Sequence, residues 1–164
     1  MIVFFDVYYQ KQEAQVAAVW AKSWEQEQAD GQKVLKMSVP SDYEPGAFYK
    51  RELPCLLAMI EQLPIQPSCL VVDGYVFTSE DTLGLGAHLY HSLPEQIPVI
   101  GIAKSLFRLA EPVSKPVLRG KSQNPLWVSA IDFPLEEAVA NLQNMHGEHR
   151  TPTLLKLVDR LSRP

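Results

Sequence analysis

An α/β fold built on a mixed sheet is what this 164-residue sequence predicts, and three observations predict it. The first third holds strand-like blocks separated by short turns. Two later blocks, CLVVDG and PVIGIA, are short continuous apolar runs of the kind that form strands buried on both faces. Between and after them, apolar residues recur at helical spacing. Strands first and then alternating helices and strands give three antiparallel strands followed by alternating helices and parallel strands, with helices on both faces.

Residues 1–9 (MIVFFDVYY) are aromatic and β-branched and read as a central strand interrupted by one acid. Residues 14–24 alternate, with Val16, Ala18, Trp20 and Lys22 on one face, although residue identity alone leaves a helix open for 13–28. Residues 32–39 alternate again. Hairpin connections around Lys11-Gln12 and Ala29-Asp30-Gly31 make the three an antiparallel meander. Beyond the turn-rich segment Pro40 to Gly46, the residues Phe48, Leu53, Leu56, Leu57, Ile60 and Leu63 predict a helix, in which Pro54 is tolerable near the first turn or at a kink. A strand over 69–74, a helix over 81–92, a strand over 98–103 and a strand pair within 115–131 follow. Pro134, with Glu136 and Glu137 on the positive end of the dipole, opens a helix to about Met145; Gly147 stops it, and Thr151 is expected to cap a last helix.

Composition bounds the function. With 46% hydrophobic and 21% charged residues, the chain is that of an ordinary globular domain, and residues 1–164 read as one domain. Fifteen Lys and Arg against nineteen Asp and Glu give a net charge of -4, so any phosphate-binding surface is local; Lys50, Arg51, Lys104, Arg108, Lys115, Arg119 and Lys121 are its candidates. Apolar runs too short for a bilayer and an N-terminus without a signal-peptide pattern point to no membrane and a cytoplasmic location. Cys55 and Cys69 form no metal or disulfide framework and read as apolar fillers. The absence of GxxxxGK[ST] and GxGxxG argues against the common nucleotide-cofactor folds.

Four acids carry the chemistry. Asp6 shares side-chain parity with Phe4 and Tyr8, among large apolar groups, and so requires a cation, a donor network or an altered pKa. Asp73 ends an apolar run, at the carboxyl end of a buried strand where open α/β sheets place ligands. Glu52 lies on the helix after the Pro-Gly turn, and Asp132 lies between LWVSAI and the Pro134 helix start, where an N-cap role is the competing reading. Convergent carboxylates stay ionised only beside a hard cation, for which Mg²⁺ or Mn²⁺ is the natural choice.

This order resembles the ribonuclease H-like superfamily of metal-dependent nucleases, and within it endonuclease V. The residues that carry the resemblance are the acid of FFDVY, Tyr43-Glu44-Pro45-Gly46 with Arg51-Glu52, Val72-Asp73-Gly74, Leu83-Gly84 with His88, Ile100-Gly101-Ile102-Ala103-Lys104 and Asn124-Pro125-Leu126, from Met1 to about residue 145. The resemblance implies that Asp6, Glu52, Asp73 and Asp132 hold a metal, with Asp6, Glu52, Asp73 and Lys104 catalytic and Lys104 meeting the phosphate or the attacking water. It implies a wedge at Tyr43, Pro45 and Gly46 that parts bases in DNA or RNA. Phe48, Gly74, Gly84, Leu85, His88 and Phe107 would then bind an extruded deaminated base. The chain departs from the family pattern at Asp132 and Ser79, where histidines are usual, at Val76, where a glycine is usual, and at Glu44 in the wedge. Those departures leave a second expectation: a catalytically inactive or re-specialised relative that binds nucleic acid or protein. His88 with His91, and His146 with His149, lack the further ligands of a transition-metal site and read as helix-surface histidines.

Overall fold

The computed structural model describes residues 1–39 and 48–164, with side chains from Tyr49 onward in the second segment. The wedge expected at Tyr43, Pro45 and Gly46, with Glu44, lies outside the described residues, as does the Phe48 side chain.

The three expected strands form as β1 (Ile2–Gln10), β2 (Glu13–Ala21) and β3 (Gly31–Ser38), paired antiparallel throughout. Lys11 adopts a positive φ of 58° in the tight β1–β2 turn. The β2–β3 connection is longer than a hairpin turn. The Asp30 carboxylate accepts a hydrogen bond from the Lys22 amide at 2.9 Å, and a Cβ on Gly31 would run into the Trp20 indole. Both faces of β2 are buried, Val16, Ala18 and Trp20 on one and Ala17, Val19 and Ala21 on the other, and this double burial settles strand over helix for the segment.

Helix α1 (Phe48–Glu61) carries Pro54 past its first turn, where the missing N–H removes one ladder bond without ending the helix. Strand β4 (Cys69–Asp73) follows. The expected helix over 81–92 is shorter: β5 (Phe77–Ser79) and β6 (Thr82–Leu83) make a small hairpin, and α2 spans Leu85–Ser92. Gly84, in extended conformation, sets the boundary, and its amide donates to the Val76 carbonyl at 2.8 Å. Then come β7 (Val99–Ala103), a 3₁₀ turn (Arg108–Val113), β8 (Lys115–Val117), β9 (Leu126–Ile131), α3 (Leu135–Asn144) and α4 (Thr153–Ser162). Thr151 does not cap α4. Pro152 is the flanking residue, and the Thr153 amide finds its acceptor in the His146 carbonyl at 2.8 Å, so the helix start is satisfied without a Thr151 cap.

Seven strands form one sheet in the order β3-β2-β1-β4-β7-β9-β8. β1, β4 and β7 are mutually parallel, and β9 runs antiparallel to β7. One core packs α1 and α2 against Val3, Phe5, Leu70 and Val72; the other packs α3 and α4 against Ile2, Phe4, Cys69 and Val71. The helices therefore cover both faces. Among the described residues no helix is long and apolar enough to cross a membrane.

Candidate active site

Strand register brings the first carboxylates together. Ile2, Val3 and Phe4 of β1 pair with Cys69, Leu70 and Val71 of β4, so continuing the same offset sets Asp6 level with Asp73. Neighbouring strands lie about 4.8 Å apart. Asp73 pairs with Ile102 of β7, and Lys104 lies two residues beyond on the same face. Period-2 alternation turns Asp6, Asp73 and Lys104 toward the face covered by α4. There Asp159, on the second turn of α4, meets them: its Oδ1 is 3.9 Å from Lys104 Nζ and 3.3 Å from an Arg163 nitrogen. Glu52 comes from α1 on the opposite face and is 4% exposed.

Packing explains the electrostatics. Burial raises the Asp6 pKa to about 6; the Ser162 hydroxyl, donating at 2.6 Å, and Lys104 pull it down, while Asp73 and Asp159 push it up. Burial likewise holds Asp73 above the ordinary carboxylate range, with Lys104 opposing and Asp159 adding to the shift. Glu52 is pushed well up by burial and then by Asp73 and Asp6, against the pull of Arg51. These acids thus disfavour one another's ionisation, with Lys104 opposing the shift at Asp6 and Asp73.

Their all-oxygen donor chemistry fits a hard divalent ion, which would relieve that repulsion. Among the described residues, however, no three His, Cys, Asp or Glu side chains stand close enough together to hold a metal as placed. Asp6, Asp73 and Asp159 meet on the α4 side, whereas Glu52 approaches from the α1 side.

Beside the carboxylates opens a pocket of about 770 Å³, whose lining includes Asp73, Gly74, Tyr75, Gly84, Leu85, His88 and Lys104. Gly74, Gly84, Leu85 and His88 thus line one pocket. Gly74 has φ 116°, a conformation that disfavours any side chain, and a Cβ on Gly84 would come within 2.5 Å of the Tyr75 carbonyl oxygen. Tyr49, which the sequence did not single out, stacks on His88 with ring centroids 3.7 Å apart. A second, small cavity of about 40 Å³ lies behind Asp6, Asp73, Lys104 and Asp159. Asp73 and Lys104 border both spaces.

Several expectations change. Asp132 is not with the other acids: because β9 is antiparallel, Ile131 pairs with Val99, and Asp132 emerges at the start of β7, at the far end of the sheet. There it has φ 60° and lies 3.3 Å from the Tyr90 hydroxyl; nor does it cap α3, whose flanking residue is Pro134. The fourth acid of the cluster is Asp159. Nothing distinguished it in sequence, since an acid on an amphipathic helix is ordinary; the one available signal was its place one turn from Ser162, a polar residue buried on the apolar side of α4. Phe107 does not line the pocket. It is 46% exposed, beside Tyr75 on the outer side. Arg119 is no phosphate contact but a buried group donating to the carbonyls of Met145, Gly147 and His149. Lys115 pairs with Glu136. Val76 packs in the core against α2, and the Ser79 hydroxyl accepts the Asp81 amide at 3.2 Å.

Comparison with known proteins gives this chain its family. The endonuclease V family model matches residues 1–128. An endonuclease V of Streptomyces coelicolor is 38% identical over 79 residues, which is 48% of this chain and 32% of that protein. One from Streptomyces avermitilis is 29% identical over 156 residues, 82% of this chain and 66% of the relative; the chain thus spans less than two thirds of either. The solved structure of a Streptomyces avermitilis endonuclease V is similar at a TM-score of 0.80 and 26% identity, over 99% of this chain and 79% of the other. The fold, ribonuclease H-like, is also that of Ciona intestinalis endonuclease V (D234N), solved with a 23mer DNA containing an inosine followed by a ribo-adenosine: TM-score 0.81, 20% identity, 99% and 83% coverage. This chain belongs to the endonuclease V family.

Proposed function

We propose that this protein is a divalent-metal-dependent endonuclease that hydrolyses a phosphodiester bond near a deaminated base, inosine, in DNA or RNA. The observation that carries the reading is the placement of Asp6, Asp73, Asp159 and Lys104 at one end of the parallel strands, bordering a pocket of about 770 Å³. Family membership and the inosine-containing DNA held by the Ciona relative support it.

Asp6 and Asp73 would hold the ion, Mg²⁺ or Mn²⁺, with Asp159 and Glu52 as the neighbouring carboxylates. When bound, the ion supplies charge neutralisation and Lewis acidity at the scissile phosphate. Lys104 would balance charge developing on the phosphate oxygens. Glu52, buried beside Asp6 and Asp73, would serve as a further carboxylate toward the ion. An extruded base would enter between the Gly74 and Gly84 backbones and the Tyr49–His88 stack.

The test is incubation of single- and double-stranded oligonucleotides carrying one inosine with Mg²⁺ or Mn²⁺, beside Asp73→Ala. Cleavage near the inosine by wild type alone is expected. The departures from the family pattern at Val76, Ser79 and Asp132 favour a second reading, an inactive or re-specialised relative that binds nucleic acid or protein without cutting. Retained binding of the inosine strand without cleavage would select that reading.

A further inference from the structure

Lys104 is exposed and lies where β7 gives way to a loop, so its position depends on what holds the chain that follows it. Two residues do. The Tyr75 hydroxyl donates to the Ser105 carbonyl at 2.6 Å and accepts the Phe107 amide at 3.0 Å. On the other side, the Arg150 guanidinium donates to the Lys104 carbonyl and to the carbonyls of Asn124 and Pro125, at 2.8 Å for Asn124 and 3.0 Å for Pro125. Arg150 joins the loop to the start of β9 and to the turn before α4.

Tyr75 differs from Arg150 in one respect: it also lines the pocket, two residues after Asp73. Its backbone is built into the pocket floor, since the Tyr75 carbonyl accepts the Gly86 amide at 3.2 Å. One side chain therefore spans from the pocket floor and the turn that carries Asp73 to the loop that carries Lys104. We infer that Tyr75 is a positioning residue, whose hydroxyl sets Lys104 relative to Asp73 for the cleavage step. This rests on the proposed nuclease function. A phenylalanine at this position keeps the ring and loses both hydrogen bonds, leaving the Phe107 amide and the Ser105 carbonyl to water.

The test uses Tyr75→Phe in the full chain, with two readouts. Amide hydrogen exchange at Phe107 should speed up roughly tenfold on losing its acceptor, while exchange in the β1, β2 and β4 core stays unchanged. With an oligonucleotide carrying one inosine and Mg²⁺, the single-turnover cleavage rate should fall roughly tenfold with binding within about twofold of wild type. In a Lys104→Ala background the same change should cost no further activity, because it acts through Lys104. Unchanged Phe107 exchange, an equal loss in both backgrounds, or a loss confined to binding would overturn the inference. A wild type that cuts no inosine substrate, while Tyr75→Phe still speeds Phe107 exchange, would overturn the proposed function and with it the positioning role of Tyr75 in cleavage.

Discussion

Both ends of the central strands carry an acid, and the two ends behave differently. Where β4 and β7 end beside the middle of β1, Asp6 and Asp73 stand level, share Lys104, and are joined by Asp159 from α4. At the opposite end, Asp132 is exposed near the Tyr90 hydroxyl, and the neighbouring side chain there is Gln96, 3.1 Å from the same hydroxyl. Strand direction makes the difference. Parallel β4 and β7 run toward the edge where Asp6 lies on β1, and bring Asp73 and Lys104 there, whereas antiparallel β9 delivers Asp132 to the other edge. An acid after an apolar run reaches the cluster only if its strand points the right way.

The largest expected effect tests the contrast directly. Asp73→Asn should lower inosine-directed cleavage by at least roughly 100-fold, whereas Asp132→Asn should stay within about twofold, measured as single-turnover rates. A comparable loss at Asp132 would break the comparison.

A stability effect comes next, from Arg119, which holds the 145–150 turn from which Arg150 reaches the Lys104 loop. Arg119→Leu should destabilise the fold by roughly 3 kcal/mol in urea unfolding, because several carbonyls lose a charged donor.

Smaller still is a pH effect confined to the Asp6 end. The folded pKa of Asp6, about 6, lies above its ordinary 3.8, so the folded state favours the neutral carboxyl. That contribution is full below the ordinary value and disappears as pH rises through about 6. Metal-free wild type should therefore lose about 2 kcal/mol more than Asp6→Asn between pH 4 and pH 7.5, as measured by chemical denaturation. Equal pH profiles would remove Asp6 from the repelling cluster. The smallest change, Ser162→Ala, takes away the 2.6 Å donor and should move the Asp6 titration upward by a fraction of a unit, followed by carboxyl NMR.

Much of the fold was legible because the strands are chemically conspicuous. MIVFF, CLVV and VIGIA have few conformations that hide so much apolar surface, and each became a buried strand. Asp6 and Asp73 were legible for the same reason, as charges set where charge is expensive. Glu52 was legible only through the family resemblance, since Lys50-Arg51-Glu52 reads as solvated surface until α1 buries it. The helix expected over 81–92 begins too early, because the place of Thr82 and Leu83 in a hairpin depends on pairing across β5 and β6. Phe107 was misplaced because a side chain's inner or outer aspect in a loop is set by what grips the backbone, here Tyr75.

The sequence by itself determined the order of the sheet strands and main helices, the strand cores and the two acids that end up level with each other, because local apolar patterning and an isolated charge carry that information. Only the tertiary structure decided that Asp159 joins them, that Asp132 does not, and that Arg119 works inside the fold. Each of those outcomes depends on strand direction and helix docking, which come from pairing energies summed over residues far apart in the chain and leave no mark on the few residues around each acid.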